Sequence, residues 1–230
     1  MSQSQWLPLE SNPEVINKFV SKLGLKTATW QFTDVYGLDP ELLAMVPQPV
    51  CALIVLFPCS QKYHDYTVGE VERLEKEGQH VDDSVFFMRQ TIGNACGTIG
   101  LLHSISNSKD RVDLEEGYLT NFISHTKDMT PAERGSYLEG DDTISAAHEE
   151  SANEGQSEVP SDRDSVNLHF VALVPHKDSL YELDGRKPFP VNHGPTTLDT
   201  FLQDGALVCQ KFMARDPSEL HFTILALAHV

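Results

Sequence analysis

Four cysteines and ten histidines supply the nucleophiles and bases of this 230-residue chain. A thiol becomes a strong nucleophile when its pKa is lowered, and the first turn of a helix does this through its free N–H groups and dipole. Among Cys51, Cys59, Cys96 and Cys209, only Cys96 reads as standing at such a place, after Asn94-Ala95 and before Gly97, which leaves room for a substrate backbone. Cys51 falls mid-strand and Cys209 on the apolar stripe of a helix, where reduced cysteines serve as small core residues. Cys59 follows a strand end, with nothing near it in sequence to activate it.

A thiolate also needs a base, usually a histidine oriented by a third group. His103 lies on the same helix as Cys96, roughly 10 Å along its axis and out of reach, so a core role suits it. His64, His80, His125 and His148 fall in polar stretches and read as solvated, while His193, before Gly194-Pro195, reads as a turn residue. His169 interrupts an apolar strand, where an imidazole is costly unless hydrogen-bonded. By itself such a histidine is more often a satisfied core residue. If His176-Lys177 forms a two-residue hairpin loop, however, His169 stands directly opposite Asp184 with Cβ atoms about 5 Å apart. A carboxylate there can accept the imidazole N–H and fix its tautomer. Asp184-Gly185 also reads as an ordinary turn signal, and a one-residue slip would undo the pairing.

Acyl transfer needs donors aimed at the developing oxyanion. The Cys96 N–H is one, and the Gln90 amide is a candidate for the second, although loop glutamines are common. No metal-ligand spacing, phosphate loop or dinucleotide fingerprint appears, so cofactor-free cysteine hydrolysis is the chemistry that remains.

The elements that must position these groups follow from periodicity. Asn12 caps a helix with Pro13 in its first turn, an apolar stripe from Val15 to Leu23, and Gly24 as its stop. Trp30, Phe32 and Val35 favour a strand, and Asp39-Pro40 opens a short helix. Val50–Phe57 reads as a strand buried on both faces. Residues 66–79 are a charged helix or loop. Ala95–Ser106 is apolar nearly all round, a central helix with Asn94 as its cap. Weaker helical patterns run to about Glu150, and the acidic stretch 149–165 reads as a mobile loop. Strands at Val166–Val174, Ser179–Leu183 and Pro188–His193 precede an amphipathic helix over Thr197–Ala214 and a closing strand, Leu220–Ala228. The expected fold class is α/β, with helices layered on both sides of a mostly antiparallel sheet.

Seventeen basic residues against 34 acidic ones leave a net charge of −17, which disfavours nucleic acid and anionic membranes and suits either plain solubility or a cationic partner. The N-terminus shows no signal-peptide pattern and the longest apolar run is too short to span a bilayer. Cysteine usage fits a reducing, cytoplasmic setting.

The run 90–106, QTIGNACGTIGLLHSIS, resembles the active-site segment of the ubiquitin carboxyl-terminal hydrolases, a cysteine-peptidase family. The resemblance extends through WLPLESNPE, WQFTDVYGLDPELL, NLHFVAL, LYELDGRKPFPVNHG and RDPSELHF, over essentially the whole chain. It implies a papain-related α/β/α fold and a short type with a single catalytic domain over residues 1–230. It further implies Cys96 as nucleophile, His169 as general base and acid, Asp184 as the group orienting it, and Gln90 as oxyanion donor. The implied substrates are ubiquitin, or a ubiquitin-like protein such as Nedd8, with a small or unfolded adduct on the C-terminal glycine. Residues 149–165 match the loop that crosses the active site and limits adduct size. The implied ubiquitin contacts are Gln5, Trp6, Leu7, Pro8, Leu9 and Glu10, with Glu219, Leu220, His221, Phe222, Thr223 and Ile224. No cofactor is expected, and the chain is expected to act as a monomer. The competing readings are a non-catalytic ubiquitin-binding module, which burial of Cys96 or displacement of His169 would favour, and a general papain-like endopeptidase.

Overall fold

A computed structural model describes residues 5–155 and 167–230. Helix α1 spans Pro13–Leu23, with the Asn12 side chain accepting from the Glu14 N–H and Gly24 closing the last turn at φ 110°. Strand β1 is Trp30–Asp34 and α2 is Pro40–Leu43, capped by Asp39. Strand β2 is Val50–Pro58. Helix α3, Gln61–Glu77, starts earlier than its charge pattern implies because Ser60 caps it. Helices α4 (Cys96–Asn107), α5 (Tyr118–Thr126), α6 (Pro131–Glu139) and α7 (Asp142–Asn153) follow. Strands β3 (Leu168–His176), β4 (Ser179–Leu183) and β5 (Val191–Pro195), helix α8 (Phe201–Arg215) and strand β6 (Thr223–His229) complete the order.

The six strands form one sheet in the order β1-β6-β2-β3-β4-β5, and each strand pairs with its neighbours antiparallel. Alternation along the strands feeds two apolar layers, as period-2 side chains require. Ala52, Ile54, Phe170, Ala172, Leu225 and Leu227 pack with α1 and α4–α7. Leu53, Val55, Val171, Leu173, Ala226 and Ala228 pack with α8, Leu43 of α2 and Tyr63 of α3. The α/β/α layering with an antiparallel sheet is therefore as expected.

Three local expectations are corrected. The hairpin between β3 and β4 turns on Lys177-Asp178, both at positive φ (44° and 63°), which is the geometry of a type I′ turn. His176 pairs with Ser179 and Ala172 with Leu183, so the register is displaced by two residues and His169 is not directly opposite Asp184. A two-residue displacement preserves the face, so the two side chains still meet. Asn94 does not cap α4; it sits at φ 61°, a conformation asparagine tolerates, and Ala95 occupies the cap position without a side-chain hydrogen bond. Residues 149–153, expected to open a mobile loop, form the last turn and a half of α7; the remaining stretch from 156 to 165 lies outside the described residues.

Candidate active site

Cys96 is the first residue of α4, where the N–H groups of the first turn have no intrahelical partners. The helix lies against β3, and Gly97 permits the approach: a Cβ there would fall 3.1 Å from Leu9 Cβ and 3.4 Å from Phe170 Cδ2. The preceding turn is held by the N-terminal segment, because Trp6 N–H donates to Gly93 O (2.9 Å) and Asn94 Nδ2 donates to Trp6 O (3.2 Å).

His169 arrives from the other side of the sheet. It has the parity of Val171 and Leu173, pairs across the ladder with Phe57, and sets its ring edge-on to that phenyl at 5.9 Å. Nothing but hydrogen bonding makes an imbedded imidazole tolerable there, and Asp184 supplies it: His169 Nε2 and Asp184 Oδ1 are 2.7 Å apart, with both side chains almost fully buried. Asp184 lies just past the end of β4, where its carboxylate also accepts the Arg186 N–H at 2.9 Å.

Engagement of Nε2 leaves Nδ1 to deal with the thiol. Nδ1 is buried and makes no well-formed hydrogen bond among the described residues, yet the Cys96 sulfur is close enough that each group shifts the other's titration. Burial works against a charged imidazole, but the Asp184 carboxylate and the Cys96 sulfur outweigh it and raise His169 to about 9. Burial likewise opposes the thiolate, and the neighbouring imidazolium, with the Phe170 backbone and Arg186, outweighs it and lowers Cys96. Both shifts favour a thiolate–imidazolium pair.

The remaining thiols behave oppositely. Burial pushes Cys51 up to about 11 and Cys209 up to about 12, in keeping with core residues. Cys59 has a neighbour that sequence proximity could not reveal: Arg186 Nη1 donates to its sulfur at 3.4 Å, although burial still raises its pKa. A cavity of about 410 Å³ between α3 and the Asp184 turn is lined by Cys59, Thr67, Val71, His169, Asp184 and Arg186.

Gln90 is brought to the site by its backbone N–H, which donates to Gly185 O at 2.8 Å. A Cβ at Gly185 would stand 3.1 Å from Gln90 Cβ and from Ile99 Cγ2, so that close approach depends on glycine. Among the described residues the Gln90 amide donates to Ile92 O at 3.0 Å, and an amide carries a second N–H.

The two expected binding segments differ in burial. Gln5, Trp6, Leu7, Pro8 and Glu10 are half-buried and Leu9 is buried, while Glu219, Phe222 and Thr223 are half-buried, Leu220 and His221 exposed, and Ile224 buried within β6. Leu220 is 83% exposed and precedes β6 at the end of the sheet where Thr223 pairs with Leu56, the end that also holds His169 opposite Phe57.

His148 was expected in solvent and is instead 1% exposed. Its Nε2 lies 2.7 Å from Leu7 O and its Nδ1 2.7 Å from Thr98 Oγ1, so it joins the N-terminal segment to the helix that carries Cys96. The signal was available in α7, where Ile144, His148 and Ser151 share one face. His193, expected in a turn, lies in β5 and bonds to Glu182 Oε2 at 2.9 Å. His103 has the core role expected of it, taking the Met88 N–H on Nε2 (3.0 Å) with Nδ1 at Leu183 O (3.2 Å).

A lowered thiol at a helix start and a carboxylate-bound imidazole from the neighbouring sheet define a cysteine-type hydrolase. The chain belongs to the family described as ubiquitin carboxyl-terminal hydrolase, family 1, whose model matches residues 6–214, and is thereby a cysteine-type deubiquitinating enzyme. It is 50% identical over 223 residues to a ubiquitin carboxyl-terminal hydrolase of Drosophila melanogaster, covering 96% of each chain. It is 45% identical over 224 residues to the human ubiquitin carboxyl-terminal hydrolase isozyme L1, covering 97% of this chain and 98% of that one. The UCH37 catalytic domain of Trichinella spiralis, solved bound to ubiquitin vinyl methyl ester, superposes with a TM-score of 0.75 at 25% identity, covering 100% of this chain and 98% of that chain. No helix of the described residues is long and apolar enough to cross a membrane.

Proposed function

We propose that the protein cleaves small or unfolded adducts, linked as amide, ester or thioester, from the C-terminal glycine of ubiquitin and of a ubiquitin-like protein such as Nedd8. It acts as a cytoplasmic monomer, with residues 1–230 as one catalytic domain. Cys96 attacks the glycine carbonyl as a thiolate. The Cys96 N–H and the Gln90 amide hold the oxyanion, and His169, oriented by Asp184, protonates the leaving amine, alcohol or thiol. Water, deprotonated by the same imidazole, then hydrolyses the thioester. Gln5–Glu10 and Glu219–Ile224 grip the ubiquitin body and tail, and 149–165 limits adduct size. The observation that carries this reading is the buried 2.7 Å His169–Asp184 bond beside a lowered Cys96 thiol.

A fluorogenic amine on the ubiquitin C-terminus tests it. Turnover by the native protein is expected, with Cys96→Ser abolishing release while ubiquitin still binds; undiminished release in that variant would sink the mechanism. One observation favours the second reading, a module that holds ubiquitin without cleaving it: Cys96 is only 7% exposed. Tight ubiquitin binding by the native protein with no release of any adduct would establish that alternative. Competition between ubiquitin and Nedd8 on the purified protein ranks the two substrates.

A further inference from the structure

Glu182 stands immediately before the 183–186 turn and Lys187 immediately after it. The Lys187 ammonium, 1% exposed, donates to Glu182 Oε1 at 2.5 Å and to Glu70 Oε2 of α3 at 2.6 Å. The Lys187 N–H closes the turn on Asp184 O at 2.9 Å. Among the described residues, the other charged or titratable groups facing this cluster come from α8, β5 and again α3. Arg215 of α8 lies 4.0 Å from both carboxylates, His193 of β5 donates to Glu182 Oε2, and Tyr66 of α3 donates to Glu70 Oε1 at 3.3 Å. Arg215 is itself stacked over Phe212 and Tyr66, 3.9 and 4.2 Å from their ring centres. Burying such a cluster is costly, and apolar residues of equal volume would pack as well, so simple space-filling does not account for it. Its geometry does something apolar residues cannot, which is to pin both ends of one turn to a helix.

We propose that Lys187 is a positioning residue, the bolt of a Glu182–Lys187–Glu70 clip that closes the Asp184 turn and holds its carboxylate against His169. This rests on the reading of Cys96, His169 and Asp184 as the reacting set. Loosening the turn withdraws Asp184 from the imidazole, weakens the imidazolium, and thereby removes the charge that stabilises the Cys96 thiolate. The other titratable or charged groups around that pair are Cys59 after β2, Tyr63 of α3 and Arg186 of the turn itself.

The test compares the native protein, Lys187→Met, and the double variant Glu182→Gln with Lys187→Met, which removes both charges if the single variant fails to fold. Alkylation of Cys96 by iodoacetamide is followed against pH by mass spectrometry, alongside kcat and KM for a ubiquitin–aminocoumarin amide. The thiolate-forming limb of alkylation is expected to move up by about one pH unit, a tenfold change in the ionised fraction. The kcat per folded molecule is expected to fall about tenfold or more with KM unchanged. A folded variant with reduced thermal stability but an unmoved limb and native kcat would overturn the proposal. Because alkylation needs no ubiquitin, a native protein that fails to release aminocoumarin would indict the functional reading, while the limb shift would still decide the clip.

Discussion

Cys96 is lowered and His169 raised to about 9, so the charged pair exists in the interval between them. Below the thiol's pKa the sulfur is protonated; above about 9 the imidazolium proposed to protonate the leaving group is lost. A plot of kcat/KM against pH for ubiquitin–aminocoumarin should therefore be bell-shaped with its alkaline limb near 9. Asp184→Asn should pull that limb to lower pH and reduce kcat by roughly a hundredfold or more, because the carboxylate both fixes the tautomer and balances the charge. A limb that stayed in place would remove Asp184 from the role. His103 carries a second pH dependence, this one in stability. It is buried neutral, its acceptor nitrogen faces the Met88 N–H, and burial pushes it down to about 4. An unfolded histidine titrates near 6.5, so the unfolded chain binds the extra proton between those values. The contribution is complete above about 6.5 and is lost as pH falls towards 4, to a total of about 3 kcal/mol. Urea unfolding from pH 7 to pH 4 should show this decline, and His103→Gln should flatten it. Residue chemistry was legible where a polar group interrupted an apolar run, as at His169. At His148 the polar neighbours, which face solvent, masked a signal that lay in the spacing of Ile144, His148 and Ser151 on the inward face of α7.

At the scale of elements, the approach of α6 to the segment carrying Gln90 depends on one position. A Cβ at Gly135 would stand 2.5 Å from Arg89 O, a backbone atom that cannot swing aside as a side chain would. Gly135→Ala should push α6 away, lower stability by about 1–3 kcal/mol, and reduce kcat through the displaced Gln90. Differential scanning calorimetry with the aminocoumarin assay checks both halves; native values of each would show that the segment yields without cost. Helix starts were readable at Asn12 and Asp39, where a capping side chain is followed by proline, and not at Ser60, whose cap has no proline after it. Hairpin register was not, because Lys177-Asp178 adopts a left-handed turn without the glycine or asparagine that would announce it. The β3–β4 displacement was harmless to the site only because an even shift keeps every side chain on its own face.

For the whole molecule, a net charge of −17 acts over distances no single contact reaches. If the proposed substrate presents its arginine-bearing tail to this acidic surface, raising salt from low to physiological strength should lower kcat/KM while leaving kcat unchanged. Salt-independent kcat/KM would dismiss the steering. The three-layer class could be read from the element order, whereas the strand order could not, since nothing in periodicity says which edges meet. That order has a bearing on how the chain is made. Strand β6, spanning Thr223–His229, lies between β1 and β2, which belong to the first 58 residues. A ribosome therefore exposes two early strands with open edges and must deliver residues 59–222 before the strand that fills the gap emerges. Messages carrying a stop codon ahead of residue 223 should yield chains that clump or are degraded rather than fragments with partial activity, and the nascent protein should stay inert until β6 has been made.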